Sequence, residues 1–545
     1  MSRQSSRVLL LCVLCAVFGY CQSAVQDVPP APVSLFADAL QLYRTGKFDA
    51  ALEKYTAALK ADPHSAAAYA GMARVYLKQQ KVKEAYEAVA TGLQGDPNSA
   101  TLKTALGEVY FRQGKIPEAE HEFVKVINSG VSDPRAYLGA ARVRSAVSMH
   151  QSAKEMIDKA HALDPADPDI RRFWFLTLKR SDYIRELEGY LAGATNDDAD
   201  ERERMSQALE LLKAEQEHPE RKCQAVNKPA SMEDDLVQLL IDPRHLRGYG
   251  LNVKFNGHNS RLLLDTGASG LLVKRSIAEK AKITPVAHST LRGIGDSSKP
   301  AAYAGYVDSI RIGDLELKDC LVRVSETRSV GGEDGLIGAD VFSDYLVDID
   351  FWKHKLRLSP LPKRPGPKQS LPPLPLPQEQ SNKSSGSAQA PAEDKELVLR
   401  DRYVAPEMSA FTPVFRFGHF LLMPTRVDDS SPKLFIIDTG AFNNGISPDA
   451  AMEVTKIRRD NHAVLKGLNG KVKEVFRADK LDIRFSHFAQ ENQEMVAFDT
   501  SRLSKSTGAE ISGFLGFAML NLFEMKIDYR DGLVDFVYNK DRHTN

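Results

Sequence analysis

The chain has 545 residues, too many for one ordinary hydrophobic core, so we expect two to four domains. Lys plus Arg and Asp plus Glu number 72 each, so the formal net charge is zero and no large basic field is available to bind nucleic acid. Hydrophobic residues make up 43%, an ordinary share for globular domains. The composition therefore indicates globular domains and excludes nucleic acid as the expected partner.

Residues 1–24 have the layout of a secretory signal peptide. Two arginines precede the apolar stretch 8–18, and small residues follow it, so we expect cleavage after Ser23 or Ala24. The apolar stretch is short for a bilayer span, and an uncleaved N-terminal anchor is the alternative. We therefore expect an exported protein, periplasmic or secreted, with no membrane span beyond that N-terminal segment.

Only two of the five cysteines, Cys223 and Cys320, would remain after cleavage. Two cysteines do not make a disulfide framework, and the sequence leaves open whether they pair. No cluster of Cys and His has the spacing of metal ligands. We therefore expect neither a metal nor a cofactor.

Residues 35–215 are predicted to form helical repeats. The segment is rich in Ala, Leu and Tyr with helical periodicity, and Asp-Pro recurs at 62, 96, 133 and 164. Small residues allow paired helices to approach, larger ones fill the gaps between repeats, and proline ends the second helix of a pair. The residues that recur at a spacing of 34 are Ala51, Ala85 and Ala119, then Tyr55, Val89 and Phe123, and then Leu42, Tyr76 and Tyr110.

This pattern resembles the tetratricopeptide repeat. The resemblance covers roughly four repeats, with a short insertion in the third and a helical tail near 169–215. It implies a solenoid with a concave face that binds a protein partner or substrate. We expect no catalytic residue in this part of the chain.

The rest of the chain is predicted to contain two copies of one β-domain, at 235–359 and 399–540, joined by a disordered Pro- and Ser-rich linker at 360–398. Four landmarks occur in the same order in both copies. They are Asp-Thr-Gly-Ala after an apolar run (265–268 and 438–441), a glycine-bearing hairpin 28 or 29 residues later (Gly293 and Gly295; Gly467), apolar-apolar-Gly (Gly338; Gly516), and aspartate before an aromatic residue (Asp350; Asp528).

If the two copies face each other, Asp265 and Asp438 can meet at a pseudo-twofold axis. Two adjacent carboxyl groups share one proton, so one can accept a proton from water while the other donates to a carbonyl oxygen. The hydroxyl-bearing residues would orient the two turns, the glycines would let backbone N–H groups approach the carboxylates, and the hairpins would cover a substrate as flaps. The supporting residues are Thr266, Gly267, Thr439 and Gly440, and the flap residues are Gly293, Gly295 and Gly467.

This constellation resembles the aspartic proteases, specifically their retroviral-type branch. The resemblance implies a multidomain protein in which an all-α helical-repeat solenoid is followed by two all-β, barrel-like aspartic protease domains. It implies hydrolysis of a protein or peptide substrate by a dyad of Asp265 and Asp438. Ser269 after the first motif is typical of the family, whereas Phe442 at the matching position of the second is not.

Two alternatives stay open. The two copies can pair within one chain, or each can pair with its counterpart in another molecule. The alternative function is a scaffold with a protease-like fold that binds peptide without cutting it. The histidines at 258, 288, 419 and 462 have no Ser or Cys partner at a recognisable spacing and are interpreted as surface or turn residues.

Overall fold

The computed structural model describes residues 32–295, 299–326, 333–364 and 401–538. The signal peptide predicted at 1–24 lies outside these residues, and so does most of the linker predicted at 360–398. Within the described ranges, no helix has both the length and the apolar character needed to cross a membrane.

Helices come first along the chain, and we call residues 32–217 the helical half. Its helices are α1 (Pro32–Arg44), α2 (Phe48–Ala61), α3 (Ala66–Lys78), α4 (Val82–Gly95), α5 (Ala100–Arg112), α6 (Ile116–Asn128), α7 (Pro134–Ala146), α8 (His150–Leu163), α9 (Pro168–Phe175), α10 (Arg180–Ala192) and α11 (Ala199–Glu217). The first eight pack as four consecutive pairs, which confirms the predicted helical periodicity.

The 34-residue spacing reflects how the helices pack. The recurring alanines are fully buried, and so are the larger residues four positions after each of them. Gly71 and Gly139 make room for these rings, because a Cβ at either glycine would lie within 2.3 Å of Tyr55 or Phe123, respectively. One detail of the prediction is wrong: Pro134 begins α7 instead of ending α6, because Asp133 caps α7 by accepting a hydrogen bond from the Arg135 N–H.

A buried ion network lies between the first helices of the pairs. Arg135 donates to Glu108 and to Asp169, each at 2.7 Å, and the Tyr43 hydroxyl donates to Asp169, also at 2.7 Å. Tyr43 belongs to α1 and Asp169 to α9, so these side chains span the space between the first and last repeats. The space that these side chains span is therefore filled at this level by the chain's own residues.

The β-rich part follows the helical half, and we call its two portions the first and second β halves. The first contains β1 (Gln224–Asn227), β2 (Met232–Asp235), β3 (Val237–Asp242), β4 (His245–Phe255), β5 (His258–Asp265), β6 (Leu271–Lys274), α12 (Arg275–Lys280), β7 (Pro285–Thr290), β8 (Ala301–Ile312), β9 (Leu315–Ser325), β10 (Gly335–Gly338), a 3₁₀ turn (Ala339–Phe342), β11 (Tyr345–Asp350) and β12 (Lys355–Pro360). The strands β1 and β2 precede the boundary predicted at 235, because short polar strands carry no apolar alternation by which to recognise them.

The second β half spans 401–538. It contains a 3₁₀ turn (Pro406–Met408), β13 (Thr412–Pro413), β14 (Phe415–Phe417), β15 (Phe420–Val427), β16 (Lys433–Asp438), β17 (Gly445–Ile446), α13 (Pro448–Met452), β18 (Ile457–Arg459), β19 (Lys466–Gly467), β20 (Gly470–Lys471), β21 (Val475–Ala478), β22 (Leu481–Phe485), β23 (Phe488–Asn492), β24 (Met495–Phe498), α14 (Ser501–Thr507), β25 (Gly513–Gly516), α15 (Phe517–Leu520), β26 (Phe523–Asp528) and β27 (Leu533–Tyr538).

Each β half has its own large sheet. The strand order is β1-β9-β6-β10-β5-β4-β8-β7 in the first, with β3 on β4 and a further β8–β9 pairing. In the second it is β18-β21-β24-β17-β25-β16-β15-β22-β23, with β14 on β15. The order β6-β10-β5-β4 in the first sheet matches β17-β25-β16-β15 in the second, and β10 and β25 run parallel to β5 and β16. The two Asp-Thr-Gly motifs therefore follow equivalent strands.

A third sheet takes strands from both halves, in the order β13-β27-β26-β11-β12-β2. The contact between halves is the antiparallel pair β11–β26, in which Val347 is opposite Ile527. Both of these side chains are fully buried in the apolar core that the halves share. The two β halves thus pair within one chain.

Cys223 and Cys320 form a disulfide, with their Cα atoms 4.2 Å apart. The bond links the segment after α11 to β9, close to where β1 pairs with that strand. The sequence left this pairing open.

Candidate active site

Each β half delivers an aspartate at the end of a buried strand. The apolar residues before Asp265 on β5 and before Asp438 on β16 are buried, so each aspartate is carried on rigid backbone. Asp265 and Asp438 themselves are only 9% and 8% exposed. Burying a carboxylate costs free energy of desolvation, so each aspartate needs hydrogen-bond partners that are themselves fixed in position.

The two turns hold each other through their threonines. The Thr266 N–H donates to Thr439 Oγ1 and the Thr439 N–H donates to Thr266 Oγ1, both at 3.0 Å. Each hydroxyl then donates across the axis at 2.8 Å, Thr266 to the Ile437 carbonyl and Thr439 to the Leu264 carbonyl. The four bonds are reciprocal and buried, so they fix the position of one aspartate relative to the other.

The glycines after the threonines bring the two carboxyl groups together. The Gly267 N–H donates to Asp265 and the Gly440 N–H donates to Asp438, both at 2.8 Å. A Cβ at Gly440 would lie 2.3 Å from the Asp265 carboxylate, and one at Gly267 would lie 2.7 Å from the Asp438 carboxyl carbon. Only glycine fits at either position, because each of these backbones lies directly against the carboxyl group of the other half.

Burial and proximity change the acidity of the pair. Burial, and after it the neighbouring Asp438 charge, raises the pKa of Asp265 well above its ordinary value. Burial also raises the pKa of Asp438, although the N–H groups of Ala441 and Gly440 oppose the shift. The two groups titrate as one unit in which Asp265 keeps a proton that Asp438 shares. Such a pair contains one proton donor and one acceptor side by side.

The apolar-apolar-Gly stretches back the two aspartate turns. Gly338 is in register with Asp265, and Gly516 with Asp438. A Cβ at Gly338 would lie 2.6 Å from the Ala268 carbonyl oxygen, and one at Gly516 would lie 2.3 Å from the Asn443 carbonyl oxygen. Glycine is therefore required where these strands meet the turns.

The two turns differ after their alanines. In the first, the Ser269 hydroxyl donates to Asp340 at 2.9 Å, and the Gly270 N–H donates to the same carboxylate at 2.8 Å. In the second, the Gly516 N–H donates to the Asn444 side chain at 2.8 Å, whereas the matching Gly338 N–H donates to the Gly270 carbonyl. Phe442 replaces Ser269, remains 45% exposed and lies with its ring centroid 6.2 Å from that of Phe517.

The glycine-bearing hairpins contact each other. We call β7, β8 and their connection (291–295 and 299–300) the first flap, and residues 465–472 the second flap. The Asn469 N–H donates to the Ile294 carbonyl at 3.0 Å. A Cβ at Gly295 would lie 2.5 Å from the Gly470 oxygen, and one at Gly467 would lie 2.2 Å from the Ile294 oxygen, so glycines permit this approach. Leu468 of the second flap and Ala268 of the first turn pack against the same apolar cluster, which includes Leu263. The tip of the second flap therefore lies near the first turn.

His419 lies in a turn, as the sequence predicts, and this turn lies near the site. Burial lowers the pKa of His419, while the charge of Asp340 and a hydrogen bond to the Gly267 backbone oppose the shift. The residue belongs to the turn between β14 and β15, so the second β half brings it to the first half's aspartate turn. The local sequence Phe-Gly-His-Phe gives no signal of this long-range contact.

No group of three or more His, Cys, Asp or Glu residues that could hold a metal ion occurs within the described ranges.

Two parts of the chain match known families. Residues 251–341 match the aspartyl protease family, and residues 42–94 match a tetratricopeptide repeat family. The chain therefore has an aspartyl protease domain and a tetratricopeptide repeat region, and the repeats imply protein–protein interaction. The first match contains Asp265 and the glycines of the first flap.

A curated relative is the UBA domain-containing protein Mud1 of Schizosaccharomyces pombe, which is 33% identical over 110 residues. The match covers 20% of this chain and 32% of Mud1, so the chain spans about a third of that protein's length.

Several solved structures are similar to part of the chain. A tetratricopeptide repeat protein of Thermus thermophilus is 24% identical with a TM-score of 0.27, covering 33% of this chain and 99% of that one. Pseudomonas aeruginosa PilF is 18% identical with a TM-score of 0.24, covering 34% of this chain and 86% of that one. A tetratricopeptide repeat protein of Parabacteroides merdae is 18% identical with a TM-score of 0.24, covering 35% of this chain and 75% of that one.

Proposed function

We propose that the two β halves act together as one exported aspartic endopeptidase, with Asp265 and Asp438 as its catalytic dyad. The observation that carries this proposal is the reciprocal set of threonine hydrogen bonds, which holds the two carboxyl groups beside each other at the junction of the halves. The helical repeats would engage a protein partner or the substrate. No cofactor enters the proposed reaction.

The second β half is proposed to be a protease domain in its own right. Its support is the equivalent topology around the motif, with β25 parallel to β16 and Gly516 in register with Asp438. The halves differ in the residues that follow the motif, but each supplies one threonine and one carboxyl group to the junction. The active unit is then one chain, with the shared sheet holding the halves in place.

The reaction follows from the shared proton. A water molecule between the carboxyl groups gives a proton to the unprotonated aspartate while its oxygen attacks the peptide carbonyl carbon. The protonated aspartate donates to the carbonyl oxygen, which forms a tetrahedral diol. In the breakdown of the diol, the protonated aspartate gives its proton to the amine nitrogen and the other aspartate takes one from a diol hydroxyl as the C–N bond breaks, so the dyad again holds one proton.

The substrate is proposed to be an extended peptide held between the flaps and the floor that the aspartate turns form. A closed cover would exclude water from the reacting groups and strengthen their electrostatic interactions. The flaps must separate for such a peptide to enter, because their tips are hydrogen-bonded to each other.

Export is part of the proposal. The predicted signal peptide supports it, and so does the disulfide between Cys223 and Cys320, because disulfides persist in oxidising compartments and are rare in the cytosol. We expect the mature chain to function in the periplasm or outside the cell.

The test is cleavage of a diverse peptide library by residues 25–545, scanned from acidic to neutral pH. Asp265→Asn and Asp438→Asn should each lower cleavage by at least about a thousandfold, because either change removes the acid–base pair. The alkaline limb of the pH profile should lie above the ordinary aspartate range, because the raised pKa of Asp265 preserves the shared proton there.

The matched controls are Asp314→Asn and Asp429→Asn, which alter exposed aspartates of the first and second β halves. Both should cleave like the parent chain. Loss of cleavage in only one of the two dyad variants would contradict a dyad formed between the halves. Tight peptide binding without cleavage at any pH would instead support a peptide-binding scaffold.

A further inference from the structure

Two of the contacts between the helical half and the β halves differ in character. The first contact is apolar: residues of α5 to α8 and of the second β half belong to one buried cluster, which includes Phe111, Leu138, Phe415 and Leu434. The Arg112 carbonyl also accepts from the Glu510 N–H at 2.8 Å. Burial of this kind is the main source of stable association, so we regard this contact as permanent.

The second contact is polar and joins α11 to the first flap. Lys299 bonds to Asp200 at 2.7 Å and to Glu203 at 2.6 Å. On the flap's other strand, the His288 N–H donates to Glu210 at 2.8 Å. None of the residues of α11 is buried. Exposed ion pairs contribute little individually and are screened by salt, so this contact can open while the first remains closed.

The loop before α11 ties that helix to the repeats. Asn196 is 1% exposed and bonds to Lys78 of α3 and Asp169 of α9, both at 3.3 Å. Asp197 accepts from Arg172 at 2.8 Å. Asp169 also belongs to the buried ion network around Arg135, so the position of α11 depends on the packing of the first and last repeats.

The first flap is bound on its inner side as well. Its Ile294 carbonyl accepts from Asn469 of the second flap, and its Gly295 carbonyl accepts from Arg502 at 2.8 Å. Opening the cleft therefore breaks the contact with the second flap and changes the contact with α11. Ile294 of the first flap also packs against the apolar cluster of the first contact, so α11 supplies the polar part of the hold on this flap.

We propose that α11 is a latch that holds the first flap closed, so that the helical half controls access to the cleft. The consequence of the latch, which is regulation of peptide entry, rests on the proposed function. The latch itself is a property of the fold. It is a set of exposed polar contacts on the flap, carried by a helix whose preceding loop is bonded to the repeats through Asn196 and Asp197. A partner that shifts the repeats would move the loop and release the flap.

The experiment is hydrogen–deuterium exchange of the amides in 285–295 and 299–312 at physiological salt. The double variant Asp200→Asn, Glu203→Gln removes both carboxylates from Lys299 and leaves the capping box of Asp198 and Glu201 in place. We expect the flap amides to exchange about fivefold faster in this variant. High salt should accelerate exchange in the parent and have less effect on the variant.

The matched control is Glu188→Gln, which removes an exposed ion pair of the same helix, between Glu188 of α10 and Lys213 of α11 at 2.5 Å. Its flap exchange should equal the parent's. Equal exchange in the double variant and the parent would overturn the latch, and so would equal acceleration by the control.

The same comparison in the Asp265→Asn background separates this inference from the proposed function. Faster flap exchange in a chain that cleaves nothing would support the latch while the protease proposal fails. Conversely, cleavage that depends on both aspartates, with flap exchange and cleavage rate unchanged by the double variant, would support the protease and overturn the latch. In an active chain, the double variant should raise the cleavage rate about fivefold where flap opening limits it.

Discussion

Thr266 and Thr439 are the residues through which the two aspartate turns contact each other. Thr266→Val keeps the side-chain shape but leaves the Ile437 carbonyl and the Thr439 N–H without the partners they have in the parent. Buried groups left unpaired cost about 1–3 kcal/mol each, so we expect the free energy of unfolding to fall by about 2–4 kcal/mol. Urea denaturation measures this loss, and Thr266→Ser should recover most of it.

A second buried threonine serves as a control that separates an effect on the orientation of the aspartates from an effect on the stability of the fold. The Thr500 hydroxyl donates to the Ile511 carbonyl at 2.6 Å in the second β half, outside the contact between the turns. Thr500→Val should also lower stability, but folded protein should retain its peptide cleavage. If Thr266→Val cleaves as well as Thr500→Val at equal folded fraction, the threonine contact does not orient the aspartates.

Among the secondary-structure elements, strand β1 is the one that the Cys223–Cys320 disulfide holds in place. All of its residues are exposed, and within the described structure the strand it pairs with is β9. The disulfide closes a loop with a sequence separation of 97, for which the chain-entropy model gives about 4–5 kcal/mol and measured bonds more often give about 2–4 kcal/mol. Reduction should therefore destabilise the first β half and make the segment 218–227 sensitive to protease.

The Cys223→Ser, Cys320→Ser double variant is the control for reduction. It should show the same protease sensitivity at 218–227 without reductant and no further change when reductant is added. Full protection of this segment in the double variant would mean that the β1–β9 hydrogen bonds suffice on their own.

The elements that local patterns specify were predictable from the sequence. The spacing of Ala51, Ala85 and Ala119 follows from helix packing, and an apolar run before Asp-Thr-Gly predicts a strand that ends in a turn. The placement of Asp265 beside Asp438 depended on the duplication, because a single motif does not identify its partner. These inferences succeed because the physical constraint acts within a few residues or repeats at a fixed interval.

Contacts between polar residues that are far apart in the sequence leave no local pattern by which to predict them. Examples are the ion pairs of Lys299 with α11, the proximity of His419 to Gly267, and the pairing of β1 with β9, which all depend on how distant parts of the chain pack. A lysine on a hairpin and acidic residues on a helix look like ordinary solvated surface in sequence. The shared sheet was likewise undetermined, because β11 and β26 are each apolar enough to pair with another copy of the chain.

At the scale of the whole molecule, the two β halves are joined by a sheet that contains a poorly stabilised carboxylate. Asp348 on β11 lies opposite Arg357 on β12 and Lys526 on β26. Burial, and after it the charge of Glu524, raises the pKa of Asp348 to about 6, although Arg357 lies 3.1 Å away. Within the described structure, its Oδ1 has no hydrogen-bond partner. The junction between the halves therefore favours the protonated form.

This raised pKa has a definite consequence for stability. Between about pH 4 and about pH 6 the folded chain keeps a proton on Asp348 that the unfolded chain has released, so this residue lowers the free energy of unfolding as pH rises. Asp348→Asn should remove this contribution to the fall in the free energy of unfolding. The variant should therefore be more stable than the parent at pH 7, by about 1–2 kcal/mol. Urea denaturation of both chains at several pH values measures the difference, in which the contributions of the aspartate dyad cancel.

The neighbouring Asp350 is the control with the opposite sign. Burial alone would raise its pKa, but hydrogen bonds from the Lys353 N–H and from Arg357 lower it below the ordinary value. Its stabilising contribution is present at neutral pH and is lost as the pH falls through its folded pKa, so Asp350→Asn should destabilise the chain at pH 7. If Asp348→Asn instead destabilises the chain at pH 7 as Asp350→Asn does, the ion pair with Arg357 outweighs burial, and the junction between the halves is strengthened as the pH rises.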